Sequence, residues 1–112
     1  MSLVRSSPRT VAERLKALAE VYEHGQASEV IDRTLDKLLA HEAEVTRAQL
    51  QQLRADLAQF EEQYGLPSDE FYRRFQAGET DDRMDYVEWA SLVQMVHNLE
   101  RRLRLLVGED GE

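Results

Sequence analysis

Apolar residues recur along most of the chain at the three- and four-residue spacing of amphipathic helices. The longest series alternates steps of four and three and consists of Leu39, Ala43, Thr46, Leu50, Leu53, Leu57, Phe60 and Tyr64. A second series consists of Trp89, Leu92, Val96, Leu99, Leu103 and Leu106. Heptad spacing of this kind is typical of a helix packed along its length against another helix. The pattern therefore predicts an all-α fold built on two long, paired helices.

Capping residues and helix breakers divide the pattern into separate helices. The predicted helices comprise residues 10–24, 28–64, 68–77 and 82–107. Thr10 and Ser68 are the expected N-caps of the first and third helices, and Asp82 or a neighbour is the expected N-cap of the fourth. Gly25 and Gly65 suit the left-handed position that follows a helix, so they are the expected stops of the first and second.

The simplest packing is an antiparallel, coiled-coil-like hairpin of the second and fourth helices, with the short third helix connecting them. The fourth helix spans about 35 Å, little more than half of the second, so the stretch from Ile31 to Thr46 needs another partner. We expect the first helix and a second copy of the chain to supply it, giving a homodimer. The residues expected to self-associate are Ile31, Leu35, Leu38, Leu39, Leu50 and Leu53.

Composition and chain ends refine this picture. We expect a flexible arm at residues 1–9, a single helical domain at 10–107 and a polar tail at 108–112. The chain has no cysteine, which excludes disulfides and thiolate metal sites. No apolar run approaches the length of a membrane span and no signal-peptide pattern opens the chain, so we expect a cytoplasmic protein without a membrane partner.

The net charge of −8 is unevenly spread. Residues 61–88 contain nine acids and three bases, whereas the first sixteen residues carry a net positive charge. A field of this sign repels nucleic acid and favours a basic protein partner. The alternative interpretation is a pair of solvated helix faces.

Aromatic residues cluster in the same acidic stretch. The candidate partner-binding residues are Phe71, Tyr72, Phe75, Asp81, Asp82, Asp85, Tyr86 and Trp89. Tyrosine and tryptophan often carry the binding energy of protein interfaces. The alternative interpretation is that these aromatic side chains close the core at the end of the hairpin.

No motif indicates catalysis. The sequence has neither a Gly-x-Ser-x-Gly element nor a glycine-rich phosphate loop. Di-metal helical bundles use a glutamate three residues before a histidine, but the residues three positions before the three histidines are Val21, Leu38 and Gln94. We therefore expect no metal, no cofactor and no enzymatic activity.

Two stretches resemble known proteins. The segment Gly-Gln-Ala-Ser-Glu-Val-Ile at residues 25–31 is followed by Leu35 and Leu38, and with it residues 11–42 resemble the helices of ribbon-helix-helix antitoxins of the ParD type. That resemblance implies a strand near residues 3–7 that pairs with its dimer mate and enters the DNA major groove. Arg5 and Arg9 are then candidate nucleic-acid contacts.

Residues 60–92 resemble a set of small, uncharacterised prokaryotic helical proteins. The matching positions are Phe60, Tyr64, Gly65, Phe71, Tyr72, Phe75, Gly78, Asp85, Tyr86, Glu88 and Trp89. This resemblance implies an antitoxin-like partner of a small toxin.

Three hypotheses follow. The first is a non-catalytic, antitoxin-like helical module that binds a basic partner protein. The second is a ribbon-helix-helix DNA-binding regulator, and the third is a purely structural coiled coil.

Overall fold

A computed structural model describes residues 9–25 and 28–108. These residues form four helices and no strand, which confirms the all-α fold. The helices are α1 (Val11–His24), α2 (Glu29–Tyr64), α3 (Ser68–Gln76) and α4 (Met84–Val107). Arg5, most of the predicted arm and the tail beyond Gly108 lie outside the described residues.

The chain divides into two compact units, residues 1–35 and 36–112. The first unit holds α1 and the start of α2, and the second holds the remainder of α2 with α3 and α4. That residues 10–107 behave as one domain stays a prediction. Among the described residues, none of the helices combines the length and the apolarity needed to cross a membrane.

α1 begins at the predicted N-cap and ends before the predicted glycine, but the backbone conformation of that glycine differs from the prediction. The Thr10 hydroxyl accepts a hydrogen bond from the backbone N–H of Glu13, whose carboxylate accepts one from the N–H of Thr10 in return. Gly25 is extended, with φ −134°, rather than left-handed. Glycine is still required there, because a Cβ atom would lie 2.9 Å from the carbonyl oxygen of Val21.

The second unit is an antiparallel hairpin of α2 and α4. At one end Arg102 pairs with Glu42 at 2.7 Å, and at the other the Tyr64 hydroxyl donates to Asp85 at 2.6 Å. Low numbers on α2 therefore meet high numbers on α4, as the heptads predicted. The short helix α3 packs on α4 at the closed end.

α4 covers slightly more of α2 than predicted. Ala43 and Thr46 are buried, at 3% and 1% exposure, although the stretch up to Thr46 was expected to need another partner. Arg102 is one residue of α4 that reaches this stretch, since its guanidinium donates to the Thr46 hydroxyl as well as to Glu42.

The core lies in the second unit and comprises Leu50, Leu57, Phe71, Trp89, Ala90, Val93 and Val96. The expectation of self-association is therefore wrong for Leu50, which is 2% exposed because it packs inside its own chain. Leu53 is half-buried, and Leu38 and Leu39 are 45% and 41% exposed. Dimerisation itself stays a prediction.

The start of α3 differs from expectation. Ser68 is the first residue of α3 rather than its N-cap, and its backbone N–H donates to the carboxylate of Glu61 at 2.8 Å. The N-cap of α4 is Arg83, a neighbour of Asp82, as the prediction allowed. The Asp81 carboxylate accepts a hydrogen bond from the N–H of Arg83 at 3.0 Å.

Candidate interaction surface

The closed end of the hairpin is organised around Trp89. This indole is 0% exposed and stacks on Phe71 with ring centroids 3.9 Å apart and planes 2° from parallel. The ring of Phe60 stacks against it at 5.5 Å and that of Tyr64 at 5.6 Å. Each element of the hairpin end thus contributes a ring, which holds α2, α3 and α4 together there.

This packing corrects the partner-binding prediction for two residues. Phe71 and Trp89 are completely buried, so neither can contact a partner in this conformation. They form the core of the hairpin end, which was the alternative interpretation of the aromatic cluster. The indole N–H donates to the Ser68 hydroxyl at 2.9 Å, so it has no need of an external acceptor.

The other predicted binding residues lie around this core. Asp81 and Asp82 are exposed. Four are half-buried: Tyr72, Phe75, Asp85 and Tyr86. Six of the eight predicted residues therefore have accessible surface at the same end of the hairpin, and we call this region the acidic end (residues 61–88).

A cleft opens in the acidic end, with a volume of about 510 Å³. Its walls include the tyrosines Tyr64 and Tyr86, the acids Glu79 and Asp81, and one base, Arg74. Carboxylates beside aromatic rings form a site suited to a cationic side chain, because both the carboxylate charge and the ring quadrupole attract cations.

The Arg83 guanidinium illustrates this chemistry within the chain. It lies 4.6 Å from the ring centroid of Tyr86 and pairs with Asp81 at 2.9 Å. The side-chain hydrogen bond between Arg83 and Asp81 lowers the pKa of the Asp81 carboxyl and raises the pKa of the guanidinium. Both groups therefore stay charged throughout the neutral range.

The three bases of the acidic end are all paired with its acids. Arg73 and Arg74 both pair with Glu70, at 2.9 and 2.7 Å. Their hydrogen bonds lower the pKa of Glu70 from 4.5 to about 2. Within the described part of the chain, Glu62, Asp82 and Glu88 make no ion pair. The surface therefore keeps a strong net negative charge.

Asp85 has a structural contact that the sequence did not indicate. Its carboxylate accepts from the Tyr64 hydroxyl, and this hydrogen bond is the main cause of the raised pKa of Tyr64. The phenol therefore remains a donor at neutral pH and links α2 to the first turn of α4. The heptad position of Tyr64 indicated contact with α4, but gave no sign of its partner.

Metal binding and nucleic-acid binding are the two other kinds of chemistry that the sequence raised. Within residues 9–25 and 28–108, no three His, Asp or Glu side chains come together in a way that could hold a metal ion. Arg9 is exposed, whereas Arg5 and the implied strand at residues 3–7 lie outside the described segments. Nucleic-acid binding through the arm stays a prediction.

No protein-family model, curated protein or solved structure matches the chain. The likeness to antitoxins accordingly rests on the sequence motifs alone. The fold and the acidic end are the basis for the functional proposal.

Proposed function

We propose that this protein is a non-catalytic, antitoxin-like interaction module that binds a basic partner protein through its acidic end. The observation that carries the proposal is the cleft lined by Tyr64, Glu79, Asp81 and Tyr86, within a stretch that contains nine acids and three bases. A partner's lysine or arginine entering this cleft would meet two aromatic rings and two carboxylates, each of which is paired with an arginine of the chain before the partner binds.

The arrangement favours a protein partner over a small cation. The unpaired acids Glu62, Asp82 and Glu88 come from α2, the loop before α4, and α4. A surface made from several elements matches a surface carrying several basic side chains, and long-range attraction between the two accelerates their encounter. The rigid aromatic core beneath fixes the positions of these elements.

The pairing of Arg83 suggests how the partner binds. Arg83 already occupies one face of Tyr86 and neutralises Asp81. An incoming arginine with better geometry would exchange places with it, and the displaced guanidinium would move into solvent. Arg83→Ala should therefore leave partner binding intact or strengthen it, since it removes a competing cation.

The test begins with the full chain immobilised as bait. The captured protein is identified by mass spectrometry, produced in pure form and mixed with the chain, and complex formation is followed by calorimetry at low and high salt. We expect a basic partner whose affinity falls with salt. The variant Glu79→Lys/Asp82→Lys should weaken it by about tenfold or more, because each reversal turns an attraction into a repulsion.

The matched control is Asp36→Lys/Glu44→Lys, which makes the same charge change at exposed α2 positions outside the acidic end. Its effect on affinity should be smaller by about an order of magnitude, because charges separated by more than a Debye length are largely screened. Equal losses in the two variants would mean that only net charge matters. A purified partner that forms no complex, or one that ignores the acidic-end variant, would refute the proposal.

A further inference from the structure

α4 carries a second heptad series outside the core cluster, on a flank that borders α2, and we call this flank the outer face. It consists of Met84, Glu88, Ser91, Met95, Asn98, Arg102 and Leu105, at steps of four and three throughout. The core-facing series of the same helix includes Trp89, Val93 and Val96, so α4 has two heptad faces. Three apolar residues of the outer face are strongly exposed: Met84 at 78%, Met95 at 47% and Leu105 at 62%.

An uncharged groove runs beside this face. It lies between α2 and α4, has a volume of about 400 Å³ and is lined by Gln49, Gln52, Leu53, Met95, Asn98 and Leu99. An adjoining hollow continues along α4 past Arg102 and Leu105. In a chain with 32% charged residues, an uncharged groove bordered by exposed apolar side chains is typical of a contact surface.

The residues along the outer face are arranged so that two copies running in opposite directions place complementary residues opposite each other. Apolar Met84 and Leu105 stand at the two ends, acidic Glu88 and basic Arg102 come next inward, and Met95 stands at the centre. If a second α4 runs antiparallel, Glu88 of each copy lies beside Arg102 of the other, and Met84 lies beside Leu105. The central contact is between the two Met95 side chains.

Helix geometry also places the charged residues of the outer face where they can pair between two antiparallel copies of α4. Glu88 and Arg102 are two heptads apart, so they lie on the same flank of α4. In an antiparallel pair related by a twofold axis, each flank faces the same flank of its mate, so two ion pairs form, in which each Arg102 guanidinium contacts Glu88 of the mate as well as Glu42 of its own chain. A parallel pair would instead oppose Glu88 to Glu88 and Arg102 to Arg102, which is repulsive.

We propose that a second copy of this chain docks antiparallel on the outer face of α4, with the twofold axis near Met95. This interface is separate from the α2 positions predicted to self-associate, apart from Leu53 at the groove. The antiparallel arrangement places the two acidic ends at opposite ends of the dimer. Repulsion between them is therefore minimised. Glu88 of each acidic end is engaged in this interface, and the cleft and the acids Glu62 and Asp82 stay accessible.

Charge-reversal complementation tests the ion pairs. Glu88→Arg alone and Arg102→Glu alone should each give a monomer by light scattering, because each opposes like charges. An equimolar mixture should recover the dimer mass, since the heterodimer contains two pairs of opposite charge, one with the native polarity and one reversed. Thermal melts monitor the fold of Arg102→Glu, because Arg102 also pairs with Glu42 in its own chain. A monomeric native chain, single variants that keep the native dimer mass, or a mixture that stays monomeric would overturn the proposal.

Single-cysteine cross-linking tests the orientation, and the chain has no cysteine of its own. Met95→Cys should form a disulfide-linked dimer under a mild oxidant. Met84→Cys should not, because its two copies would lie about 33 Å apart, but a mixture of Met84→Cys with Leu105→Cys should. Ala58→Cys, at an exposed α2 residue that does not line the groove, is the control. Self-linking of Met84→Cys, or efficient linking only at Leu38→Cys, would overturn the proposed arrangement.

Discussion

At the scale of single residues, the hydroxyl of Ser68 shows how a small polar group supports an aromatic core. The sequence Ser-Asp-Glu after a proline led us to predict an N-cap there, but the Ser68 hydroxyl accepts from the buried Trp89 indole instead. Glu61, seven residues earlier, supplies the acceptor for the start of α3. Neither partner could be predicted, because both depend on how three helices meet rather than on local sequence.

Replacing Ser68 with alanine should destabilise the fold. The substitution leaves the indole N–H buried without an acceptor, which costs about 1–3 kcal/mol. Urea titration of the two proteins, followed by Trp89 fluorescence, measures the difference. Gln51→Ala is the control because Gln51 is exposed on α2 and lies outside the proposed dimer interface, so its effect should stay within about 0.5 kcal/mol. Equal stabilities of Ser68→Ala and the native chain would show that the hydrogen bond contributes nothing.

The two arginines beside Glu70 predict a pH dependence. They lower its pKa from 4.5 to about 2 in the folded protein, so the folded state holds this proton less tightly than the unfolded chain does. The stabilisation is therefore complete above pH 4.5 and is lost as the pH falls toward 2. The melting temperature of Glu70→Gln should lie below that of the native chain at pH 7, and the gap should close at low pH. Glu62→Gln, at an acid with no ion pair among the described residues, should give no such pH-dependent gap.

At the scale of helices, the sequence predicted where each helix lies better than it predicted the residues and conformations that begin and end it. Apolar periodicity and glycine located all four helices, because these signals are local. The N-cap of α3 was misplaced, because Glu61, an acid seven residues earlier, accepts the free N–H group of Ser68. The left-handed conformation predicted for Gly25 was wrong, because glycine is needed there for lack of space, with a Cβ atom coming within 2.9 Å of the carbonyl oxygen of Val21, and not for a positive φ.

The stop of α2 at Gly65 can be tested directly. Gly65 is left-handed, with φ +64°, and an added Cβ atom would meet nothing within 4 Å. The cost of Gly65→Ala is therefore purely conformational, about 1–2 kcal/mol. Gly65→Asn should cost less, because asparagine tolerates this conformation better than alanine. Denaturant unfolding of both variants measures the order, and an alanine variant as stable as the asparagine variant would contradict it.

At the scale of the whole molecule, the heptads predicted the hairpin because two apolar stripes of similar period must pack against each other. The candidate surface was predicted only in part. Sequence spacing could not tell Trp89, at the centre of the core, from Tyr86 at its edge, since both belong to one aromatic cluster. Which aromatic is buried depends on the position of α3. Asp81 and Asp82 could be assigned to the surface from their charge alone, whereas the half-buried position of Asp85 depends on its contact with Tyr64.

Burial is confined to one part of the chain, and this predicts which part can fold alone. Every buried residue of the described chain, from Ala43 to Val96, lies within residues 36–112, whereas α1 buries none. The fragment 36–112 should therefore keep the near-UV circular dichroism of Trp89 and unfold cooperatively. Its free energy of unfolding should lie within about 1 kcal/mol of that of the full chain, as expected when only surface contacts are removed.

The matching control is the fragment 1–83, which retains the acidic loop but loses α4 and with it Trp89. It should be devoid of fixed tertiary structure, because Phe60, Phe71 and Leu57 then have nothing to pack against. If 36–112 instead unfolds without cooperativity, α1 must contribute to the core through contacts with another molecule, and the first unit would be part of an obligate assembly. If the fragment folds as expected, the first unit is free to serve binding, and both the acidic end and the outer face of α4 can be studied on residues 36–112 alone.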